Sequence, residues 1–578
     1  MRAINDAPTT FEELNEIKRR ILRAEKSHES LPSASELLKA YHELIKKNKI
    51  KPNKNLEKLL IKRSVRTISG VSIITVLTKP YPCPGKCIYC PSDERMPKSY
   101  LADEPAAGRA LQLKFDPFEQ VRRRIETLKE NGHPTDKIEL IVKGGTWNAY
   151  PLSYQYWFIL RCFEAGNSNC HSEQSEESLY AGNYYKMALR DPSAAPQDDS
   201  SINLDKVQVK LKKAQKKNEA AKHRIIGLTL ETRPDFINPT TIWQMREQGC
   251  TRIELGVQTT NDKTLQLVKR GHTTLETKKA TQLLKNYGFK VDYHLMPQLP
   301  CATPKEDLKM MLTIFSDPSY RPDMIKIYPC TVIKNSELYT WLKEGKYKTY
   351  SNRKLIDMLK SFKKEVPYYV RISRLIRDIP SPHIEAGNKM TNLRQVIQKE
   401  MQEEGLKCKC LRCREVGHSQ SKVQSLKSKV QLFVEEYEAS GGKEYFLSFE
   451  DSDRNVVFAF CRLRICHCEE TADEAVTKQS NRSVASKKIA SLPSVARNDS
   501  YDAYIRELHT YGRLVEIGKK NSAASQHKGL GKKLMAEAIK ICKKNKINKL
   551  AVIAGVGVRD YYRKIGFKLE KTYMVKKI

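Results

Sequence analysis

The segment Cys83-Pro-Gly-Lys-Cys87-Ile-Tyr-Cys90 carries three cysteines in the pattern C-x3-C-x2-C. Three thiolates at this spacing suit a four-iron cluster, because such a cluster normally takes four cysteine ligands and here one iron stays open. Prolines and a glycine around the cysteines predict a loop. The alternatives are a zinc knuckle without its fourth ligand, or chance, but this spacing is far more specific than a lone C-x2-C.

The same segment resembles the cluster loop of radical S-adenosylmethionine (SAM) enzymes, in which an aromatic residue such as Tyr89 often precedes the last cysteine. The resemblance implies that Cys83, Cys87 and Cys90 hold a 4Fe-4S cluster. It also implies that SAM is the cofactor at this site.

The charge of the whole chain indicates a polyanionic partner. The 578 residues include 103 Lys plus Arg against 67 Asp plus Glu, a net charge of +36, which favours nucleic acid. The alternative is that Lys-rich helices are simply solvated surface. Fifteen cysteines in so long a chain favour a reducing, cytoplasmic location over a disulfide scaffold. An acidic start without an apolar core predicts no signal peptide, and no apolar run suits a membrane span.

The chain divides into four predicted segments. Residues 1–66 form a basic helical arm, which we interpret as a tRNA-binding clamp, the alternative being a charged, solvated helix pair. Residues 67–390 form the radical SAM domain, 391–440 a cysteine-rich linker, and 441–578 a second α/β domain. Room for two to four domains is consistent with this division.

Short apolar strands alternate with amphipathic helices between residues 71 and 377, which predicts a parallel sheet or partial (β/α) barrel. The predicted strands are 71–77, 137–143, 225–231, 252–257, 291–296 and 324–328, and the predicted helices include 117–130, 240–248, 275–286 and 305–315. The cysteine loop follows the first strand, at the end where barrels gather their functional groups.

Two polar stretches, 167–205 and 466–502, interrupt these patterns. Their composition and lack of periodicity predict disordered surface insertions. The alternative is metal binding, because Cys170-His171 and Cys466-His467-Cys468 fall within them.

The linker contains Cys408-Lys-Cys410-Leu-Arg-Cys413, three thiolates at a spacing compatible with tetrahedral zinc. His418 is one candidate for the fourth ligand, and a water or a distant side chain is the other. Because this cluster lies between the two domains, we expect it to be structural.

The second domain contains Gln526-His527-Lys528-Gly529-Leu530-Gly531, which resembles the coenzyme A loop of GNAT acetyltransferases. There backbone amides and a helix N-terminus bind a pyrophosphate, and a long amphipathic helix, 529–544, follows. Predicted strands are 444–449, 456–463, 504–509, 549–554 and 568–575. The resemblance places Tyr561 and Tyr562 near an acetyl thioester, where a phenol can act as an acid. The alternative is that both are core aromatics.

Further residues resemble SAM contacts of the radical SAM superfamily. Gly144-Gly145-Thr146 is similar to its Gly-Gly-Glu motif, with Thr146 in place of the acid, although Gly-Gly is also an ordinary turn. Charged or amide groups at strand ends suit the SAM ribose and carboxylate, the alternative being rim salt bridges. These groups are Glu231, Arg233 and Gln258.

Radical SAM, cysteine joint and GNAT in this order resemble the catalytic subunit of Elongator and its single-chain bacterial and archaeal relatives. The matching stretches are Gly132-His133, 231–235, 251–258, Arg270-Gly271-His272, 323–329, 377–380, 414–417, 506–509 and 561–566. The resemblance implies conversion of the wobble uridine of tRNA to a C5 carboxymethyl-type uridine, from acetyl-CoA, by a SAM-derived deoxyadenosyl radical. It implies that Lys326 holds acetyl-CoA or the uracil, and that Tyr561 or Tyr562 assists thioester cleavage.

Two other functions are alternatives. One is a protein lysine acetyltransferase with a degenerate radical SAM scaffold that binds RNA, which the intact cysteines disfavour. The other is a non-catalytic tRNA-binding assembly factor, which leaves the coenzyme A loop unexplained. Partners expected are an anticodon stem–loop and acetyl-CoA, with the chain acting as a monomer or homodimer and not at a membrane.

Overall fold

The computed structural model describes residues 8, 10–24, 31–61, 67, 69–168, 202–418, 430–466, 501–511 and 529–578. Most of both predicted insertions lies outside these residues, including Cys170, His171, His467 and Cys468. The same holds for Gln526, His527 and Lys528 of the coenzyme A loop.

Three helices form the N-terminal arm: α1 Phe11–Ala24, α2 Ala34–Lys46 and α3 Lys54–Leu60. Ser33 and Glu36 form a capping box that fixes the start of α2. The helices bury a small apolar cluster of their own that includes Leu14, Leu38 and Tyr41. The arm also contacts the next domain, since Ser35 Oγ donates a hydrogen bond to the Glu130 carbonyl.

Seven parallel strands, hydrogen-bonded in chain order, form the first sheet. They are β1 Ser72–Leu77, β2 Lys137–Lys143, β3 Arg224–Thr232, β4 Arg252–Gln258, β5 Lys290–Leu295, β6 Met324–Ile327 and β7 Arg371–Arg374. An all-parallel sheet in sequential order is an incomplete (β/α) barrel, which confirms the predicted fold class. The strand β7 was missed because its four residues, Arg-Ile-Ser-Arg, include only one apolar side chain.

Helices cover the outside of this half-barrel. They are α4 Pro105–Gln112, α5 Pro117–Glu130, α6 Leu152–Asn167, α7 Leu204–Asn218, α8 Pro239–Glu247, α9 Asp262–Leu267, α10 Thr274–Asn286, α11 Pro304–Ser316, α12 Glu337–Lys343 and α13 Asn352–Glu365. Strand residues that face the helices are apolar and buried, as Ile138, Leu140 and Val142 show in β2. Alternate residues, such as Glu139 and Lys143, therefore point into the barrel interior.

Two short helices, α14 Leu393–Glu403 and α15 Leu411–Arg414, lead to a second sheet of seven strands. Its elements are β8 Gln431–Glu438, β9 Gly442–Glu450, β10 Val457–Cys466, β11 Ala503–Thr510, α16 Leu530–Lys544, β12 Lys549–Val552, α17 Arg559–Arg563, β13 Lys568–Glu570 and β14 Tyr573–Lys577. The helix α16 packs its apolar face, with Leu534 and Ala538, on this sheet.

Two details of this sheet differ from the sequence prediction. The strand β8 lies inside the predicted linker yet pairs along its length with β9, so the sheet starts before residue 441. The single strand predicted at 568–575 is an antiparallel hairpin, because Lys571 adopts a left-handed conformation (φ 52°) that reverses the chain.

A buried group of charges joins the two domains, and we call it the interface ion cluster. Its members are Asp323, Glu444, Arg462, Arg464 and Arg506. Arg506 Nη1 lies 2.8 Å from Asp323 Oδ2, and Arg506 Nη2 lies 3.0 Å from Glu444 Oε2. Because Asp323 belongs to the half-barrel and the other members to the second sheet, the cluster fixes the two domains against each other. No helix among the described residues is long and apolar enough to cross a membrane.

Candidate active site

One cavity of about 730 Å³ lies between the half-barrel and the second sheet. Cys90 of the cysteine loop lines it from the half-barrel, and Tyr562 of α17 lines it from the second domain. The inward-facing side chains of most half-barrel strands line the space between them. The cysteine loop and one of the two candidate tyrosines therefore open into the same volume.

The cysteine loop follows β1, and the side chains of Arg233 and Arg270 lie against it. A Cβ atom placed on Gly85 would lie 3.6 Å from the sulfurs of both Cys83 and Cys87, but only 2.5 Å from Nη1 of Arg233. A side chain at this position would therefore have to displace the Arg233 guanidinium. Arg270 Nη1 donates to Cys87 Sγ at 3.5 Å. Burial, with the nearby charge of Cys87, raises the pKa of the Cys90 thiol to about 12.

The three sulfurs fit an iron–sulfur cluster with an open iron. They lie on one loop, Cys90 faces the cavity, and the Arg270 cation offsets thiolate charge. Arg233 Nη1 is buried beside the loop and has no hydrogen-bond partner among the described residues, although Nε and Nη2 of this arginine bind Asp235. One donor of Arg233 therefore remains available to a ligand at the cluster.

The Gly-Gly-Thr segment follows β2 and packs directly on the cysteine loop. A Cβ atom on Gly144 would lie 1.7 Å from Thr78 Oγ1, and Gly144 and Gly145 have φ values of 146° and 90°. Thr146 Oγ1 lies 4.0 Å from Cys83 Sγ. These glycines are thus required for packing as well as for the ligand approach that the sequence predicts.

Five charged or titratable side chains meet at the upper end of the barrel interior, and we call them the upper charged layer. They are Lys143, Glu231, Glu254, His294 and Lys326. Glu254 is fully buried and central: Lys326 Nζ lies 2.5 Å from its Oε1, His294 Nε2 lies 3.0 Å from its Oε2, and Lys143 also contacts Oε2. Glu231 pairs with Lys143 at 3.2 Å and accepts a hydrogen bond from Tyr100.

Burial and pairing set the protonation of this layer. Burial lowers the pKa of Lys326 to about 8, although Glu254 opposes the shift. Burial alone would raise the pKa of Glu254, but Lys143 and Lys326 outweigh it and hold that pKa well below its usual value. Burial lowers the pKa of His294. With a pKa of about 8, the Lys326 amine can gain or lose a proton close to physiological pH.

Sequence reasoning missed several members of this site. Lys143, His294, Asp292 and Tyr100 line the cavity, but they lie outside any recognised motif. A signal existed for most of them, because Glu139 and Lys143, or Asp292 and His294, occupy polar positions of even spacing within otherwise apolar strands.

Gln258, predicted as a SAM contact, ends β4 with a left-handed backbone (φ 70°) and lines the cavity. Its carbonyl accepts a hydrogen bond from Met296 N at 2.8 Å, which stabilises this turn. Gln258, Glu231 and the cysteine loop are all at the carboxyl ends of parallel strands, as predicted.

The second-domain end of the site is built on the N-terminus of α16. Gly529 has φ 73°, and a Cβ atom on Gly531 would lie 3.3 Å from Tyr561 Oη. Burial raises the pKa of Tyr561 and of Tyr562. Both phenols thus keep their protons at neutral pH, with Tyr561 next to the helix N-terminus and Tyr562 on the cavity wall. Leu530 begins α16 and is buried.

The sulfur atoms of Cys408, Cys410 and Cys413 lie within 4.8 Å of one another. Lys363 Nζ is buried 3.8 Å from Cys413 Sγ and offsets thiolate charge. Three close thiolates suit a metal ion such as zinc. His418 is not in this group of candidate ligands among the described residues.

Comparison with protein families finds three matching domains. A radical SAM superfamily model matches residues 198–312, a radical SAM C-terminal domain model matches 322–403, and an acetyltransferase (GNAT) domain model matches 521–577. The cysteine loop lies before the first match.

Relatives extend over nearly the whole chain. The tRNA uridine(34) acetyltransferase of Methanocaldococcus infernus is 40% identical over 575 residues, which cover 98% of this chain and 95% of the relative. The Elongator complex protein 3 of Homo sapiens is 35% identical over 526 residues, covering 89% and 85%. The solved structure of archaeal Elp3 from M. infernus, with residues 1–46 deleted, has a TM-score of 0.68 at 38% identity and covers 89% of this chain and 100% of that one.

Proposed function

The chain belongs to the family of the tRNA uridine(34) acetyltransferases and Elongator complex protein 3, and from this premise we propose that it modifies the wobble uridine of tRNA at C5. The product is a carboxymethyl-type uridine whose two carbons come from acetyl-CoA. The observation that carries the proposal is the single cavity lined by both Cys90 and Tyr562, since one substrate group then has access to both motifs.

At the half-barrel end, Cys83, Cys87 and Cys90 hold a 4Fe-4S cluster, and Gly144, Gly145, Thr146, Glu231, Arg233 and Gln258 bind SAM. When bound, the cluster and SAM would supply the radical chemistry needed to activate the acetyl methyl group. Support for this assignment comes from the buried free donor of Arg233 beside the cysteine loop. Lys326, held by Glu254, orients the acetyl group or the uracil with its cation.

At the other end, the loop Gln526, His527, Lys528, Gly529, Leu530 and Gly531 binds the coenzyme A pyrophosphate at the N-terminus of α16. Tyr561 or Tyr562 donates a proton to the departing thiolate or positions the acetyl carbonyl. The basic helical arm holds the tRNA through its phosphates. Zinc on Cys408, Cys410 and Cys413 stabilises the joint between the domains.

The test uses anaerobically reconstituted protein with SAM, reductant, acetyl-CoA and tRNA, followed by mass spectrometry of the tRNA nucleosides. We expect a C5 carboxymethyl-type uridine that disappears in Cys87→Ser, while tRNA affinity stays unchanged. Cys301→Ser is the matched control, because Cys301 is exposed and does not line the cavity. Unmodified tRNA together with acetylated protein would instead indicate the lysine acetyltransferase.

A further inference from the structure

Asp292 of β5 is a buried acid whose carboxyl group is unused. It is 1% exposed, it lines the cavity, and neither carboxyl oxygen has a hydrogen-bond partner among the described residues. Asp307, a second buried aspartate, accepts hydrogen bonds from Gln298 N at 2.7 Å and from Tyr350 at 3.0 Å. Burying a polar group without a partner costs free energy. A ligand that hydrogen-bonds to Asp292 therefore gains more binding free energy than a ligand that makes an ordinary surface contact.

The charged neighbours of Asp292 bind other groups. Facing it are Lys326 of β6, Glu254 and Arg252 of β4, Lys143 of β2, and Lys290 and His294 on its own strand. Each cation among them pairs with a glutamate, as Arg252 does with Glu139 at 2.6 Å and Lys290 with Glu507 at 3.6 Å. The part of the chain that the structure describes therefore leaves both oxygens of Asp292 to a ligand in the cavity.

The protonation state of Asp292 determines which hydrogen-bonding groups the ligand must present. Burial raises the pKa of its carboxyl group to about 7, with Glu254 adding to the shift and Lys326 opposing it. Near neutral pH much of the group is the neutral acid, which presents a carbonyl acceptor and a hydroxyl donor side by side. Such a pair is complementary to an N–H and a C=O on the same edge of a ring.

The two organic groups that the proposed reaction brings into the cavity differ in this respect. The amides of a pantetheine arm are trans, so their N–H and C=O point in opposite directions and one carboxyl reaches only one of them. The imide of uracil has N3–H beside C4=O in one plane. Two hydrogen bonds to that edge leave the C5–C6 edge of the ring unhindered.

We propose that Asp292 binds the N3–H and O4 edge of the target uracil and thereby positions C5 for modification. This inference rests on the proposed function, since the uracil is the substrate base of that reaction. Asp292 is a specificity-determining residue, and its ligand is a flipped-out base with a free imide edge. Bases stacked in the anticodon loop do not satisfy it.

Asparagine and alanine variants separate this role from others. Asp292→Asn keeps one acceptor and one donor side by side, so its kcat/KM for tRNA should stay within about 3-fold of the wild-type value, whereas Asp292→Ala should lose about 30-fold through two lost hydrogen bonds. Wild-type activity should begin to fall near pH 7 as the hydroxyl donor is lost, whereas the Asn variant should fall only near pH 8, where Lys326 loses its charge. Asp307→Asn, outside the cavity, is the matched control and should keep the wild-type pH profile.

A binding experiment removes any dependence on turnover. Anticodon stem–loops with uridine or 3-methyluridine at the wobble position are titrated against the wild-type protein and both Asp292 variants. We expect the methyl group to weaken wild-type and Asn binding about 10-fold and to leave Ala binding unchanged. Because Asn preserves shape and hydrogen bonding, this comparison stays informative even if the Ala variant folds poorly.

Distinct outcomes overturn the two proposals. An Asn variant as inactive as Ala, or equal wild-type affinity for both stem–loops, contradicts the role of Asp292 while a wild-type C5 product upholds the reaction. A wild-type protein that makes no modified uridine contradicts the reaction itself.

Discussion

Two aspartates that meet at β5 show how differently the half-barrel interior and the domain interface treat a buried acid. Asp323 accepts a hydrogen bond from Val291 N at 2.9 Å, and the next residue along that strand is Asp292. Asp323 is paired by Arg506, which outweighs burial and holds the pKa of Asp323 well below its usual value. Asp292 lacks such a partner, and burial raises its pKa to about 7.

Burial does not distinguish the two aspartates, because both side chains are at most 1% exposed. Their pKa values differ because their partners differ. At the interface the second domain supplies arginines that close the network. Inside the barrel the space beside Asp292 belongs to the cavity, and no described residue pairs with its carboxyl oxygens. Arg462 and Arg506 of the closed network also line this cavity, so the structural joint and the candidate ligand site share a wall and differ in whether the buried acid is paired.

The strongest way to break the closed network is Arg506→Leu. Removing this arginine leaves Asp323 and Glu444 under-compensated in a buried interface, so we expect a loss of about 3–5 kcal/mol in the free energy of unfolding, measured by urea titration. Arg563→Ala is the control, because that half-buried arginine also bridges the domains, to Glu219. It should cost less than about 1 kcal/mol. Equal losses in both variants would contradict the distinction.

Lys326→Met tests the upper charged layer, which lines the cavity. Glu254 keeps Lys143 and His294 on Oε2 in this variant but loses the partner of Oε1, so the unfolding free energy should fall by about 1–3 kcal/mol, less than in Arg506→Leu. Uridine modification should fall at least about 100-fold, because a cation directed at the substrate is lost. Nucleoside mass spectrometry and a urea titration on the same preparation measure both. A destabilised but active enzyme would assign Lys326 to structure.

Asp292→Asn tests the difference between the two aspartates through the free energy of unfolding. The folded-state pKa of Asp292, about 7, exceeds the unfolded value of about 4, so the wild type loses stability as pH rises between these values. The variant should therefore be more stable by up to about 4 kcal/mol at pH 8 and equal to the wild type near pH 4, because each pKa unit of the shift corresponds to about 1.4 kcal/mol. Thermal unfolding across this pH range provides the measurement. A gain that is independent of pH would show that Asp292 does not titrate in this interval.

The parts of this fold that follow from local pattern were predicted correctly. Apolar strands alternating with amphipathic helices indicated the parallel half-barrel, and glycine before an apolar stripe indicated α16. These features depend on neighbours within a few residues of each other.

Features that depend on distant partners could not be read in this way. The strand β8 has an exposed, mixed face and is a strand because β9 pairs with it. The upper charged layer joins Lys143 to Glu254, 111 residues later, and neither strand alone shows that the two side chains meet. Whether a buried acid is compensated, as for Asp323, or open, as for Asp292, is decided only by the packed structure.

The interface ion cluster also dictates how the chain is completed during synthesis. The half-barrel has all its strands by Arg374, but Arg506 follows Asp323 by 183 residues. Because a protein leaves the ribosome N-terminus first, the Asp323 face of the first domain stays open to water until β10 and β11 bring Arg462 and Arg506. The radical SAM domain therefore completes its packing only when the acetyltransferase sheet folds against it, so the two domains finish folding together.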